Sequence, residues 1–306
     1  MRRALFAGVI GIAIVVATSP VVTLTAARQA SATRTIYVTA TDGKNAPVAG
    51  LTPADFAVKE EGQLRDVVGA EIAKTPMQVV LMLDTSGLGL AAIRQGSGEF
   101  VHALQGRAQF AVITMGGQNL ILVDFTSEPQ TVFSGLLRML ARNSPPVYIL
   151  DGLFEVAQTL QRREAVRAVI VAVATEGEEL SNTLADVVLD AIERSGAQFY
   201  YIGMGPPSIQ GRRPSVAAQR PADSTEYESG QRNAVIGSAP KNSGGRSEQS
   251  LQTSGIPTLL KQFAAELLGQ YAVTYATDGR AGRLEVETRR KGVKVRARLR
   301  VGGATR

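Results

Sequence analysis

Between residues 77 and 205, short apolar runs alternate with segments in which apolar positions recur every three or four residues. The runs at 78–84, 108–115, 119–124, 167–174 and 197–203 predict strands. The periodic segments at 88–104, 129–142, 149–162 and 183–194 predict helices. Such alternation predicts a doubly wound, mainly parallel sheet with helices on both faces. The strands on either side of Gly116-Gly117 stand too close for a crossover helix, so they predict an antiparallel edge hairpin.

The flanks carry a period of two instead. Thr35 to Thr41 sets Ile36, Val38 and Ala40 on one face, and turn signals follow at Asp42-Gly43 and Asn45-Ala46-Pro47. Thr52-Pro53 reads as a helix start, and Glu61-Gly62 separates two short strands near 56–60 and 64–73. Beyond a helical pattern at 256–268, a strand is predicted at 271–277, then a hairpin of 283–288 with 293–301 about Arg290-Lys291-Gly292. In its last strand Val293, Val295, Ala297, Leu299 and Val301 share one face and Lys294, Arg296, Arg298 and Arg300 the other. Neither flank is large enough to bury a core alone. The two are therefore expected to pair into one small discontinuous β-sandwich, with the α/β domain inserted between them. Residues 206–255 are rich in Pro, Gly, Ser, Gln and Arg and nearly lack periodic apolar positions, which predicts a disordered insert that does not pack. The expected division is 1–32 export signal, 33–75 N-terminal β segment, 76–205 with 256–270 α/β domain, 206–255 insert and 271–306 C-terminal β segment.

Composition narrows the chemistry. Of 306 residues, 44% are hydrophobic, enough for a core, and none is Cys, so disulfides, zinc-thiolate sites and cysteine nucleophiles are excluded. The one histidine, His102, lies late in a predicted helix and reads as a packed or half-exposed structural residue. Arg2 and Arg3 precede the apolar run Ala4 to Ala17, and Ala30-Ser31-Ala32 offers a small-residue cleavage site, the layout of an export signal. The stretch to Ala27 could instead stay as an uncleaved anchor. Residues 1–32 hold three of the 33 basic residues and no acid, so the remainder carries 30 basic against 27 acidic groups. Ten of those 30 fall in 279–306, so the basic character belongs to the tail. Its charged face reads first as a solvated, aggregation-blocking edge, and second as a surface for anionic lipid, polysaccharide or an acidic partner.

Asp84-Thr85-Ser86-Gly87 closes the run 78–84, placing a carboxylate and a hydroxyl at the end of a buried strand, where open α/β sheets bind ligands. Together with Val48-Ala49-Gly50-Leu51-Thr52-Pro53-Ala54-Asp55-Phe56-Ala57-Val58, Tyr148-Ile149-Leu150-Asp151-Gly152-Leu153, Ser243-Gly244-Gly245-Arg246 and Gln270-Tyr271-Ala272-Val273-Thr274-Tyr275, this stretch resembles the von Willebrand factor A (VWA) family, and more particularly its exported bacterial VWFA-related proteins. The resemblance implies a metal-ion-dependent adhesion site of oxygen ligands around Mg²⁺. Asp84 and Ser86 match that pattern; its second serine is Leu88, its threonine falls on Val147, and its last aspartate on Glu176 within Thr175-Glu176-Gly177. The implied site is degenerate, with Asp84, Ser86 and Glu176 as candidate metal ligands and Thr85, Gly87 and Thr175 as candidates for the binding surface. No cofactor is expected, although Mg²⁺ remains possible. Asp84 and Ser86 serve equally as caps for the following helix.

Other chemistry finds little support. An aspartic protease needs a second carboxylate turn, a serine hydrolase needs more than a lone histidine, and no phosphate loop is present. The expectation is an exported, secreted, periplasmic or surface-held non-enzymatic module with an extracytoplasmic protein partner and no nucleic acid. Membrane contact would come only through an uncleaved signal or the basic tail. An envelope-anchored scaffold using the β-sandwich and basic strand is the alternative, and a hydrolase ranks last.

Overall fold

The computed structural model describes residues 32–85, 89–142, 146–175, 178–204 and 222–302. The expected export signal therefore lies outside the described residues, apart from Ala32. The N-terminal segment forms β1 (Ala32–Thr41), β2 (Phe56–Glu60), β3 (Gln63–Arg65) and β4 (Val67–Ile72). A one-turn helix at Pro53–Asp55 precedes β2, capped as its sequence predicts: the Asp55 carboxylate accepts from the Thr52 backbone N–H at 2.7 Å.

The α/β body follows the predicted alternation closely. It runs β5 (Met77–Asp84), α1 (Leu90–Ala103), β6 (Ala108–Met115), β7 (Leu120–Thr126), α2 (Pro129–Leu137), α3 (Ile149–Arg162), β8 (Ala168–Thr175), α4 (Ala185–Ser195) and β9 (Gln198–Met204). It then adds α5 (Ala222–Ser243), β10 (Arg246–Ser250) and α6 (Ile256–Leu268). Its six-stranded sheet has the order β10-β9-β8-β5-β6-β7, parallel throughout except for antiparallel β7 at the edge. Strand alternation divides the core. Val79, Leu81 and Leu83 of β5 pack with α1, α2 and α6, whereas Val80 and Met82 pack with α3, α4 and α5.

One expectation fails here. The segment 206–255 was expected to stay unpacked, yet residues 222–243 form α5, whose Val235 and Ala239 are buried, and 246–250 form a strand in five-residue register with β9. Backbone pairing and a few anchors suffice, so sparse apolar content did not prevent packing. Gly244, at φ +81°, ends α5 in the left-handed conformation, and Gly245 lets the chain pass against the Phe199 carbonyl, where a Cβ would stand 1.9 Å from that oxygen.

The C-terminal segment forms β11 (Tyr271–Thr277), β12 (Gly282–Thr288), β13 (Lys294–Arg296) and β14 (Arg300–Val301). As expected, the two flanks make one sandwich. One sheet is β13-β1-β11-β4 and the other β14-β12-β2-β3, closing over Ile36, Val38, Phe56, Val58, Tyr271, Val273, Tyr275 and Leu284. Residues 293–301 do not form the simple hairpin expected. β13 pairs with β1 in one sheet and β14 with β12 in the other. The switch occurs where the chain crosses the end of α5: the Leu299 N–H donates to the Asn242 carbonyl at 2.8 Å. An alternating pattern reads the same across such a switch, so it could not reveal one.

The basic face of this segment is also only partly solvated. Lys294 and Arg300 are exposed, but Arg296 pairs with the fully buried Glu266 of α6, and Arg298 donates at 3.0 Å to the Glu193 carbonyl near the end of α4. His102, expected to be packed or half-exposed, is exposed.

Candidate binding site at the carboxyl end of the sheet

The chain leaves β5 toward β6 on one side and later returns to β8 on the other, so the strand order reverses between β5 and β8. Ligands of open α/β sheets bind outside the carboxyl ends of the strands at such a point. Asp84 ends β5, as the sequence predicts, and β8 runs one residue past its predicted end, to Thr175. The Thr175 side chain, Ser86, Gly87 and Glu176 lie outside the described residues.

Asp84 is fully buried and, by alternation, follows Val80 and Met82 onto the face covered by α3, α4 and α5. Thr85, a candidate for the binding surface, is turned inward. It is 4% exposed, and its N–H and its hydroxyl both donate to the Met115 carbonyl, at 2.9 and 3.0 Å. Its own carbonyl accepts from the Arg142 N–H at 2.8 Å. That contact ties the loop after α2 to the end of β5. The N-cap of α1 is Gly89, at φ +90°.

The other wall joins two loops. Val147, the position implied for the metal-site threonine, is buried and makes a parallel bridge to Glu179, with Val147 N–H to the Glu178 carbonyl at 2.8 Å. The Ser181 hydroxyl accepts from the Leu150 and Asp151 N–H groups, both at 3.0 Å, and so satisfies the first turn of α3. In return, Asp151 accepts from the Thr183 N–H at 2.8 Å and the Thr183 hydroxyl at 2.6 Å. These reciprocal caps rigidify the rim.

Sequence reasoning missed a buried cation on α5. Arg232 of α5 is 8% exposed, and its Nη2 donates to the Tyr201 hydroxyl at 3.0 Å. Burial opposes its charge, but the Tyr201 oxygen, Glu179 and Asp84 outweigh burial and hold the guanidinium above its ordinary value. Next to it, Gln231 accepts from the Ala185 N–H at 2.8 Å, capping α4. Glu179 is 5% exposed; burial pushes its carboxyl up, against the Ser181 hydrogen bond and the Arg232 charge. Its Oε1 accepts from the Ser181 N–H, and its Oε2 has no hydrogen-bond partner among the described residues.

Among the described residues no three His, Cys, Asp or Glu side chains converge as a metal site.

No family model matches the chain, and no curated protein matches it. Among solved structures it is similar to proximal thread matrix protein 1 of the mussel byssus, at 14% identity and TM-score 0.46, covering 63% of this chain and 48% of that one. It is similar also to the conserved hypothetical protein BatB from Bacteroides thetaiotaomicron, at 15% identity and TM-score 0.45, over 62% of this chain and 98% of that one. A von Willebrand factor type A structure from Catenulispora acidiphila aligns over 90% of this chain and 75% of that one, at 11% identity and TM-score 0.48. The chain thus spans about half the length of the mussel protein. With its parallel strands wound both ways from β5 and antiparallel β7 at the edge, this chain has a doubly wound α/β fold.

Proposed function

We propose that the chain is an exported, non-enzymatic module that binds a protein partner at the carboxyl end of its six-stranded sheet. One observation carries this reading: loops and strand ends along the carboxyl end of the sheet expose large apolar side chains. Leu140 is 75% exposed after α2, Leu251 is 74% exposed after β10, and Leu120 and Leu184 are each 46% exposed beside β6 and α4. Apolar side chains on a rigid rim suit the desolvated centre of a protein interface. The N-terminal pattern of Arg2, Arg3 and the apolar run to Ala17 supports export. Among the described residues no helix is long and apolar enough to cross a membrane. An anchoring role for the basic tail is less favoured, because Arg296 and Arg298 turn inward to Glu266 and to the Glu193 carbonyl.

Capture from envelope extract tests the proposal. The double variant Leu140→Asp/Leu251→Asp should lose the partner that wild type retains. Val166→Asp, at a position 75% exposed at the opposite end, between α3 and β8, should keep it. Retention by the first variant, or loss by the second, would overturn the assignment.

A further inference from the structure

We propose that the cavity between α5 and the edge of the β-sandwich binds a single-chain anionic amphiphile, with the acyl chain on its apolar lining and the charged head at Lys241. The proposal goes beyond the protein-binding reading and concerns a different part of the molecule.

The cavity follows from the sheet switch. The chain leaves β13, at the edge of one sheet, and enters β14, at the edge of the other, by way of residues 297–299. The Leu299 N–H donates to the Asn242 carbonyl at 2.8 Å, and the Leu299 carbonyl accepts from the Leu284 N–H at 2.7 Å. These bonds hold the crossing segment between α5 and β12. Beside it lies a cavity of about 400 Å³, lined by Ile236 of α5, Leu284 and Val286 of β12, Val295 of β13 and Leu299. Leu284 belongs to the sandwich core, but the other four are only half-buried, so they keep apolar surface for a ligand to cover. The volume falls within the roughly 300–1,000 Å³ of small-molecule sites.

Charge decides the class of ligand. The lining holds no Asp or Glu, but four cations: Lys241, Arg246, Arg296 and Arg298. Arg246 and Arg296 are answered by Glu266. Lys241 and Arg298 form no ion pair among the described residues. Arg298 donates to the Arg300 and Glu193 carbonyls, at 2.6 and 3.0 Å, and Lys241 is exposed. The two cavities at the end of α4 differ in this respect, since both include Glu193 in their lining. An apolar cavity with unanswered positive charge suits a ligand that is apolar along its length and negative at one end. A neutral chain would leave Lys241 without a counter-charge, and a small anion would leave the apolar lining in water.

Calorimetric titration of the full chain with acetate, octanoate, decanoate and decanol tests this. Decanoate should bind saturably, one molecule per chain. It should bind about tenfold more tightly than octanoate, since each methylene taken from water is worth roughly a fourfold gain. Lys241→Gln should weaken decanoate by about fivefold or more and leave decanol unchanged, because only the head loses its cation. Gly237 lines the cavity from α5, and a Cβ there meets no atom within 4 Å. Gly237→Leu should therefore fill the space and abolish binding, with the melting temperature unchanged or raised, since leucine is the better helix former. Decyl phosphate run beside decanoate tells a phosphate head from a carboxylate, and tighter binding of either supports the site. Acetate binding as tightly as decanoate, octanoate and decanoate binding alike, or retention of decanoate by Gly237→Leu would overturn the proposal. Equal weakening of decanol and decanoate in Lys241→Gln would remove the head from Lys241.

Discussion

At the scale of single residues, the end of β5 separates what a sequence shows from what it hides. Asp84 was legible because an apolar run stops there, and strand alternation then fixed its face. Thr85 stood out in the sequence as a hydroxyl beside the site, but its N–H and hydroxyl are both spent on Met115. Thr85→Val is therefore expected to cost about 1 kcal/mol, read by urea unfolding, and to leave partner capture unchanged. A large loss of capture at full stability would restore Thr85 to the binding surface. Arg232 was illegible for a physical reason. A lone cation in a stretch of Ser, Gln, Gly and Asn reads as solvated, and only the docking of α5 over Tyr201 makes it a buried charge. Glu179 and Ser181 were hidden similarly, since capping between distant loops leaves no spacing signal.

At the scale of elements, those with a strong apolar period were placed within a few residues, and those held by backbone were missed. β10 reads Arg-Ser-Glu-Gln-Ser, with no large apolar side chain, yet it extends the sheet because β9 offers a free edge in register. The junction between α5 and β10 depends on Gly245 beside the Phe199 carbonyl. Gly245→Ala should cost roughly 2–3 kcal/mol and sharply raise amide exchange across Arg246–Ser250. Unchanged protection there would show that α5 and β10 are not docked as described.

At the scale of the whole molecule, the sandwich is closed by chain segments more than two hundred residues apart, β1 pairing β11 over seven register positions. That closure was legible, since two half-sandwiches need each other. The link between sandwich and α/β body was not. It runs through buried polar groups: Arg167 donates to Gln270 Oε1 at 2.9 Å, Gln270 to Thr39 and Gln198, and Glu266 pairs with Arg246 and Arg296. Burial pushes the Glu266 carboxyl up, against the pull of Arg296 and Arg246. The folded state then holds a proton that the unfolded state has already lost, so this contribution is present at low pH and lost as pH rises through the raised value. Relative to Glu266→Gln, wild type should lose stability between the ordinary carboxylate range and neutrality. A gap moving the other way would show the ion pair dominating over burial. The central claim is that this molecule holds a protein partner at the carboxyl end of its sheet without a metal bridge. Partner capture measured side by side in EDTA and in millimolar Mg²⁺ tests it most directly. The same partner retained within about twofold in both supports the account, and a loss of tenfold or more in EDTA, about 1.4 kcal/mol, would contradict it.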